Sequence, residues 1–257
     1  MNMKKIKVVA VSYLNTKPLL YGLLRSPLAA QIELQLQIPS ECARRLQTGE
    51  ADLGLVPVAV IPQLQTPHII SDFCIGTRGT VRTVCIYSEA PLQDVKRLYL
   101  DYHSRTSVEL VKILLRDHWR LSPELLPAQP GFEDDIGGNT AALVIGDRAI
   151  GMEERFPYIY DLGEAWLAHT GLPFVFAAWV SNSPLPEEFI EPFNAALQDG
   201  LRQIPELMFL LPSSAPGFDL HAYFTENISY ELDAPKRKAM GMFLQEIGAS
   251  KAVLQGV

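Results

Sequence analysis

Short apolar runs alternate with amphipathic stretches along the whole of this 257-residue chain, and nothing else in it constrains the fold as strongly. An apolar run bounded by turn signals reads as a buried strand, and a 3.6-residue apolar period reads as a helix laid on a sheet. Alternation of the two predicts α/β layering. Strands are predicted over 6–11, 32–38, 52–56, 68–75 and 81–88. A short helix follows Pro18, and another runs to Leu46, capped by Ser40 and stopped by Gly49. The pattern restarts near Glu89-Ala90-Pro91, with strands over 98–101 and 141–145 and a strand or extended segment over 156–162. A helix around Trp166, a strand-like aromatic run over 172–180, and long helices around 187–204 and 235–247 complete it.

That restart predicts a discontinuous arrangement. Residues 1–88 and 179–257 form a first domain, residues 89–178 an inserted second one, and the crossings near 88–91 and 174–180 a hinge. Ligands of such folds sit in the interdomain cleft, on loops at the carboxyl ends of strands. The loops after Val11 and after Asp101 are of that kind.

Hydrophobic residues make up 48% and charged residues 20%, ordinary for a globular protein of this size. The net charge of −7, with no run of Lys or Arg, argues against a nucleic-acid partner. An anionic ligand therefore needs local positive potential. Cys42, Cys74 and Cys85 have no metal-site spacing to one another or to a histidine, and they read as reduced, buried thiols. After Met1-Asn2-Met3-Lys4-Lys5 the apolar run Val8-Val9-Ala10-Val11 is too short for a secretory core. No Cys precedes Cys42, and no window reaches membrane-spanning length. The expectation is a cytoplasmic protein with no membrane partner, no metal and no cofactor.

Ser104-Arg105-Thr106-Ser107 stands where a helix over Val108-Glu109-Leu110-Val111 should begin. Three hydroxyls, a guanidinium and a helix N-terminus suit a carboxylate or phosphate. Thr106 and Glu109 also have capping-box spacing, so the same residues could simply finish the helix.

Ser12-Tyr13-Leu14-Asn15-Thr16-Lys17-Pro18-Leu19 resembles the N-terminal signature of the chorismate dehydratase family, the first enzymes of the futalosine route to menaquinone. Further matches follow in order. They are 49–58, Cys74-Ile75-Gly76 with Gly79 and Val81, Ser104-Arg105-Thr106-Ser107-Val108, Ile145-Gly146-Asp147, Tyr160-Asp161-Leu162-Gly163 with Trp166, and 170–177. The resemblance implies a two-domain type 2 periplasmic-binding-protein fold with a hinge and an interdomain cleft. It also implies a hydro-lyase (a carbon–oxygen lyase) that converts chorismate to 3-[(1-carboxyvinyl)oxy]benzoate. Thr83 stands where the family often has Ser.

On that resemblance Asn15 is the catalytic candidate, because its amide can donate to and accept from a leaving hydroxyl without carrying a charge. Ser104, Arg105, Thr106 and Ser107 would hold a substrate carboxylate, with Ser12, Thr83, Gly146, Asp147 and Phe174 as further substrate contacts. His103 is the tempting base, yet the motif does not require it and a solvated loop histidine is expected. A substrate carboxylate is expected to take the ring proton. Two alternatives share the fold: a non-catalytic binding protein for an aromatic dicarboxylate, and the dihydroxynaphthoate-forming enzyme of the same route.

Overall fold

A computed structural model describes residues 5–211 and 217–250; Met1-Asn2-Met3-Lys4, on which part of the N-terminal reading rests, lies outside them. In chain order the main elements are β1 (Ile6–Val11), α1 (Lys17–Arg25), β2 (Ile32–Gln37), α2 (Pro39–Gln47), β3 (Leu53–Pro57), β4 (His68–Thr77), β5 (Val84–Ser88) and β6 (Arg97–Leu100). Next come α3 (Thr106–Ile113), β7 (Glu124–Pro127), β8 (Thr140–Ile145), β9 (Tyr158–Asp161), α4 (Leu162–Thr170) and β10 (Phe174–Ser181). The chain continues through α5 (Glu187–Arg202), α6 (Ile204–Leu210), α7 (Leu220–Ala222), β11 (Ser229–Glu231) and α8 (Ala234–Glu246).

The strands form two sheets, one six-stranded in the order β11-β4-β10-β3-β1-β2 and one five-stranded in the order β7-β6-β8-β5-β9. In the first, β1 runs parallel to β2 and β3, while β10 returns antiparallel between β3 and β4. Fully buried strands such as β3, and β8 after Thr140, are continuously apolar, as strands covered on both faces must be.

Sheet membership corrects the expected domain limits. Val84–Ser88 pairs with β8 and β9, so it belongs with the second sheet, whereas Phe174–Ser181 lies wholly in the first. The apolar pattern reports burial and says nothing of which neighbour a strand will choose. The outward crossing is therefore residues 78–83, not 88–91. It is held by Asp161, whose carboxylate accepts the N–H groups of Val81 (3.0 Å) and Arg82 (2.7 Å) and those of Gly163 and Glu164 at the start of α4. Arg82 adopts φ +65° there, which ends the expected 81–88 strand at Val84. The return crossing leaves α4 at Gly171, φ +70°.

Helix starts differ from expectation in a similar way. Pro39 opens α2 with Ile38 in the capping position, so Ser40 sits within the first turn and caps nothing. Two strands escape the pattern, β7 because it is largely exposed and β11 because it is short. α1 and α5 cross at Gly22 and Gly200, where an added Cβ would lie 2.0 Å from a backbone oxygen of the opposite helix.

All three cysteines are free and buried; burial pushes the Cys42 and Cys74 thiols up to about 12 and Cys85 well above its usual value, which makes them inert. Among the described residues no helix is long and apolar enough to cross a membrane, and no cluster of His, Cys, Asp and Glu could hold a metal ion.

Candidate active site in the interdomain cleft

The carboxyl ends of β1, β6 and β8 meet at the junction of the two sheets, around a narrow, nearly closed cleft of about 60 Å³. Tyr13, Asn15, Ile75 and Phe176 line it from the first domain, Thr83 from the crossing, and Ser104, Ser107 and Gly146 from the second. Among the described residues its wall carries no charged side chain: it is apolar, with a few hydroxyls and one amide.

Asn15 sits in a 3-10 turn, Leu14–Thr16, that runs directly into α1. Its backbone oxygen accepts from the Tyr230 phenol (2.9 Å), and its side-chain oxygen from the Thr16 hydroxyl (3.2 Å). β11, which carries Tyr230, is itself fixed by the fully buried Lys236. That ammonium donates to the Ser229 oxygens and to the Glu231 carbonyl, and burial lowers its pKa.

Direct hydrogen bonds close the cleft. The Tyr13 hydroxyl and Nδ1 of His103 share a hydrogen bond (2.5 Å), and Asp147 accepts the Leu14 N–H (2.9 Å). The Thr106 hydroxyl donates to the Phe176 carbonyl (2.9 Å) while accepting the Ala59 N–H (3.2 Å). Burial first, then the charge of Arg148, holds His103 below its ordinary range. Burial raises the Asp147 carboxyl, partly offset by the Leu14 N–H and Lys17. Behind the loop after β6, buried Asp101 accepts from Arg148 (2.5 and 2.6 Å), from the His103 N–H and from the Ile145 N–H, tying the ends of β6 and β8 together.

Of the residues expected from sequence, Asn15, Thr83, Ser104, Thr106, Ser107 and Gly146 line the cleft; Ser12, Arg105, Asp147 and Phe174 do not. Ser12 continues the β1–β2 ladder through its N–H to Gln37. Arg105 is exposed and faces a groove on the far side of its loop. Asp147 is occupied by Leu14. Phe174 is buried one step back, stacked edge-on between Trp166 and Phe176, and the ring at the cleft is Phe176.

The capping box does not form. Thr106 reaches across the cleft and Glu109 pairs with Lys112, while the Ser104 hydroxyl accepts the Ser107 N–H (2.9 Å). Of the hydroxyls in this loop, those of Ser104 and Ser107 line the cleft without a bond across it. His103 is partly buried and bonded to Tyr13 rather than solvated. Tyr13 went unselected although it lies inside a recognised motif. Tyr223, behind Thr83, sits in a segment with no motif at all.

Ser107→Ala is expected to raise KM for an anionic substrate about tenfold, because a hydrogen bond to a charged group contributes ~1.5–3 kcal/mol. Arg105→Ala is expected to leave KM within about threefold, as an exposed charge should. Initial-rate measurements on the two variants check both.

Residues 6–249 match the sequence model of the family described as menaquinone biosynthesis. A chorismate dehydratase from Thermus thermophilus is 27% identical over 241 residues, covering 82% of this chain and 85% of that protein. Among solved structures, a protein from Archaeoglobus fulgidus superposes with a TM-score of 0.73 at 16% identity, covering 98% of this chain and all of that one. A Candida albicans gene product with the generic periplasmic binding protein fold superposes at 0.65 with 11% identity, covering 98% and 94% of the two chains. The likeness to these structures is one of fold.

Proposed function

This chain belongs to the menaquinone biosynthesis family, and we propose that within it the protein is a hydro-lyase that converts chorismate to 3-[(1-carboxyvinyl)oxy]benzoate and water. The relative from Thermus thermophilus supports the choice of reaction. The observation that carries it is a closed cleft in which Asn15, from the first domain, and Thr83, from the crossing, offer neutral polar groups on an apolar wall.

Chorismate carries two carboxylates, a ring hydroxyl and a ring hydrogen whose loss makes the ring aromatic. Ser104, Ser107 and the start of α3 would receive one carboxylate. With no cation on the wall, a carboxylate enclosed there keeps its basicity, since an opposing Arg or Lys would lower its pKa. We infer that a substrate carboxylate takes the ring proton. The C–H electron pair becomes the new ring double bond as the C–O bond breaks, and the departing hydroxide leaves with that proton as water. Asn15 and Thr83 stabilise the charge growing on the leaving oxygen. Proximity of base to proton can contribute ~7–11 kcal/mol in well-oriented cases.

Incubation with chorismate alone, with products followed by chromatography and mass, tests the reading. Loss of one water to a 3-substituted benzoate is expected; unchanged chorismate that nonetheless raises the unfolding temperature would mean a binding protein. His103→Ala is expected to keep kcat within about tenfold, whereas loss of an essential general base costs ~10²–10⁴-fold. Burial first, then Arg148, lowers the pKa of His103 in the folded chain, so the stability its neutral form contributes is complete above the ordinary histidine range and is lost as pH falls through the lowered value. The unfolding temperature is expected to fall on acidification in the wild type and less so in His103→Ala.

A further inference from the structure

Two buried phenols from the C-terminal segment stand behind the cleft wall. Tyr230 holds the backbone of Asn15. Tyr223, at the start of a π-helical turn, is fully buried, with its hydroxyl 2.8 Å from the Thr83 hydroxyl and the Asn15 side chain as its other polar neighbour. Phe218 and Phe224 pack against its ring at 5.1 and 5.8 Å between centroids, which fixes where the hydroxyl can point. The ring itself does not line the cleft.

We propose that Tyr223 is a positioning residue for the dehydration: its hydroxyl orients that of Thr83 toward the leaving group. This rests on the reading that Asn15 and Thr83 face the departing hydroxyl. Either hydroxyl of the Tyr223–Thr83 pair can be the donor. In the proposed arrangement the phenol donates to Thr83, whose own proton is then free for the cleft. A Thr83 that donated to Tyr223 would offer the leaving oxygen only lone pairs, which suits a departing hydroxide poorly.

Tyr223→Phe removes the hydroxyl and keeps the ring. The expected result is a fall in kcat on chorismate of about 10–100-fold, short of the ~10²–10³ seen when a direct donor is lost, with KM within about threefold. In a Thr83→Ala background the same substitution should change kcat less than about twofold, because the two act through one contact. Undiminished kcat in Tyr223→Phe, with only a lowered unfolding temperature, overturns the proposal, as does a full additive loss in the double variant. Should the phenylalanine variant not fold, 3-fluorotyrosine at position 223 retains ring and hydroxyl but donates more strongly. Altered kcat at constant KM is expected there, and unaltered kcat overturns the proposal. No turnover by the wild type overturns the dehydration reading itself, and this proposal with it.

Discussion

Asn15→Ala is expected to reduce kcat on chorismate by about 10²–10³-fold, the usual consequence of deleting one donor aimed at developing charge. KM should move little, because the amide acts on an oxygen that becomes charged only as the C–O bond breaks. The loop should survive the change. Its backbone is anchored independently of the side chain, through Tyr230 on the Asn15 carbonyl and Asp147 on the Leu14 N–H. Asn15 is itself only half-buried, so the unfolding temperature should shift by no more than a few degrees. Single-turnover product formation with protein in excess separates binding from chemistry. A raised KM with kcat intact would remove Asn15 from the chemistry and leave it a binding contact.

Gly146→Ala is expected to act through closure, and its two effects can be measured apart. Gly146 has φ +67°, where an L side chain costs ~1–2 kcal/mol in any state of the cleft. Its Cβ would also lie 2.5 Å from the Tyr13 ring, and that clash exists only when the two domains meet. Overpacking of this kind costs ~1–3 kcal/mol, hence roughly 5–150-fold in kcat/KM. The φ penalty alone should lower the unfolding temperature by a few degrees. A variant that lost stability yet kept kcat/KM would mean that catalysis does not require Tyr13 against Gly146.

Much of this architecture is legible in the sequence because burial writes itself as period. β1 after Lys7, β3, and β8 after Thr140 are continuously apolar and fall where the runs predict. The same signal could not say that Val84–Ser88 would join the second sheet, since partner choice depends on a turn at Arg82 and on a carboxylate about eighty positions away. The site divides along the same line. Asn15, Ser104 and Ser107 line the cleft and belong to local motifs. Thr106 lines it too, but its hydroxyl bonds Phe176 and Ala59, partners distant in sequence that no local motif names. Phe174 and Phe176 differ by one step in depth, which no periodicity resolves. Tyr223 could have been found only by asking what stands behind Thr83.

The first sheet draws its strands from both ends of the described chain, with β10 and β11 inserted beside β3 and β4. The second sheet is complete by β9. During synthesis on the ribosome the later-placed sheet can therefore pair first, while β1 to β4 wait for residues 174–231. The edge of β3 that β10 will cover stays open for that interval, and an open edge is a template for wrong pairing. Asn15 emerges early and acquires its neighbours Tyr223 and Tyr230 only after almost everything else has been made. Nascent chains released before that point would hold the whole recognisable motif set and no working cleft.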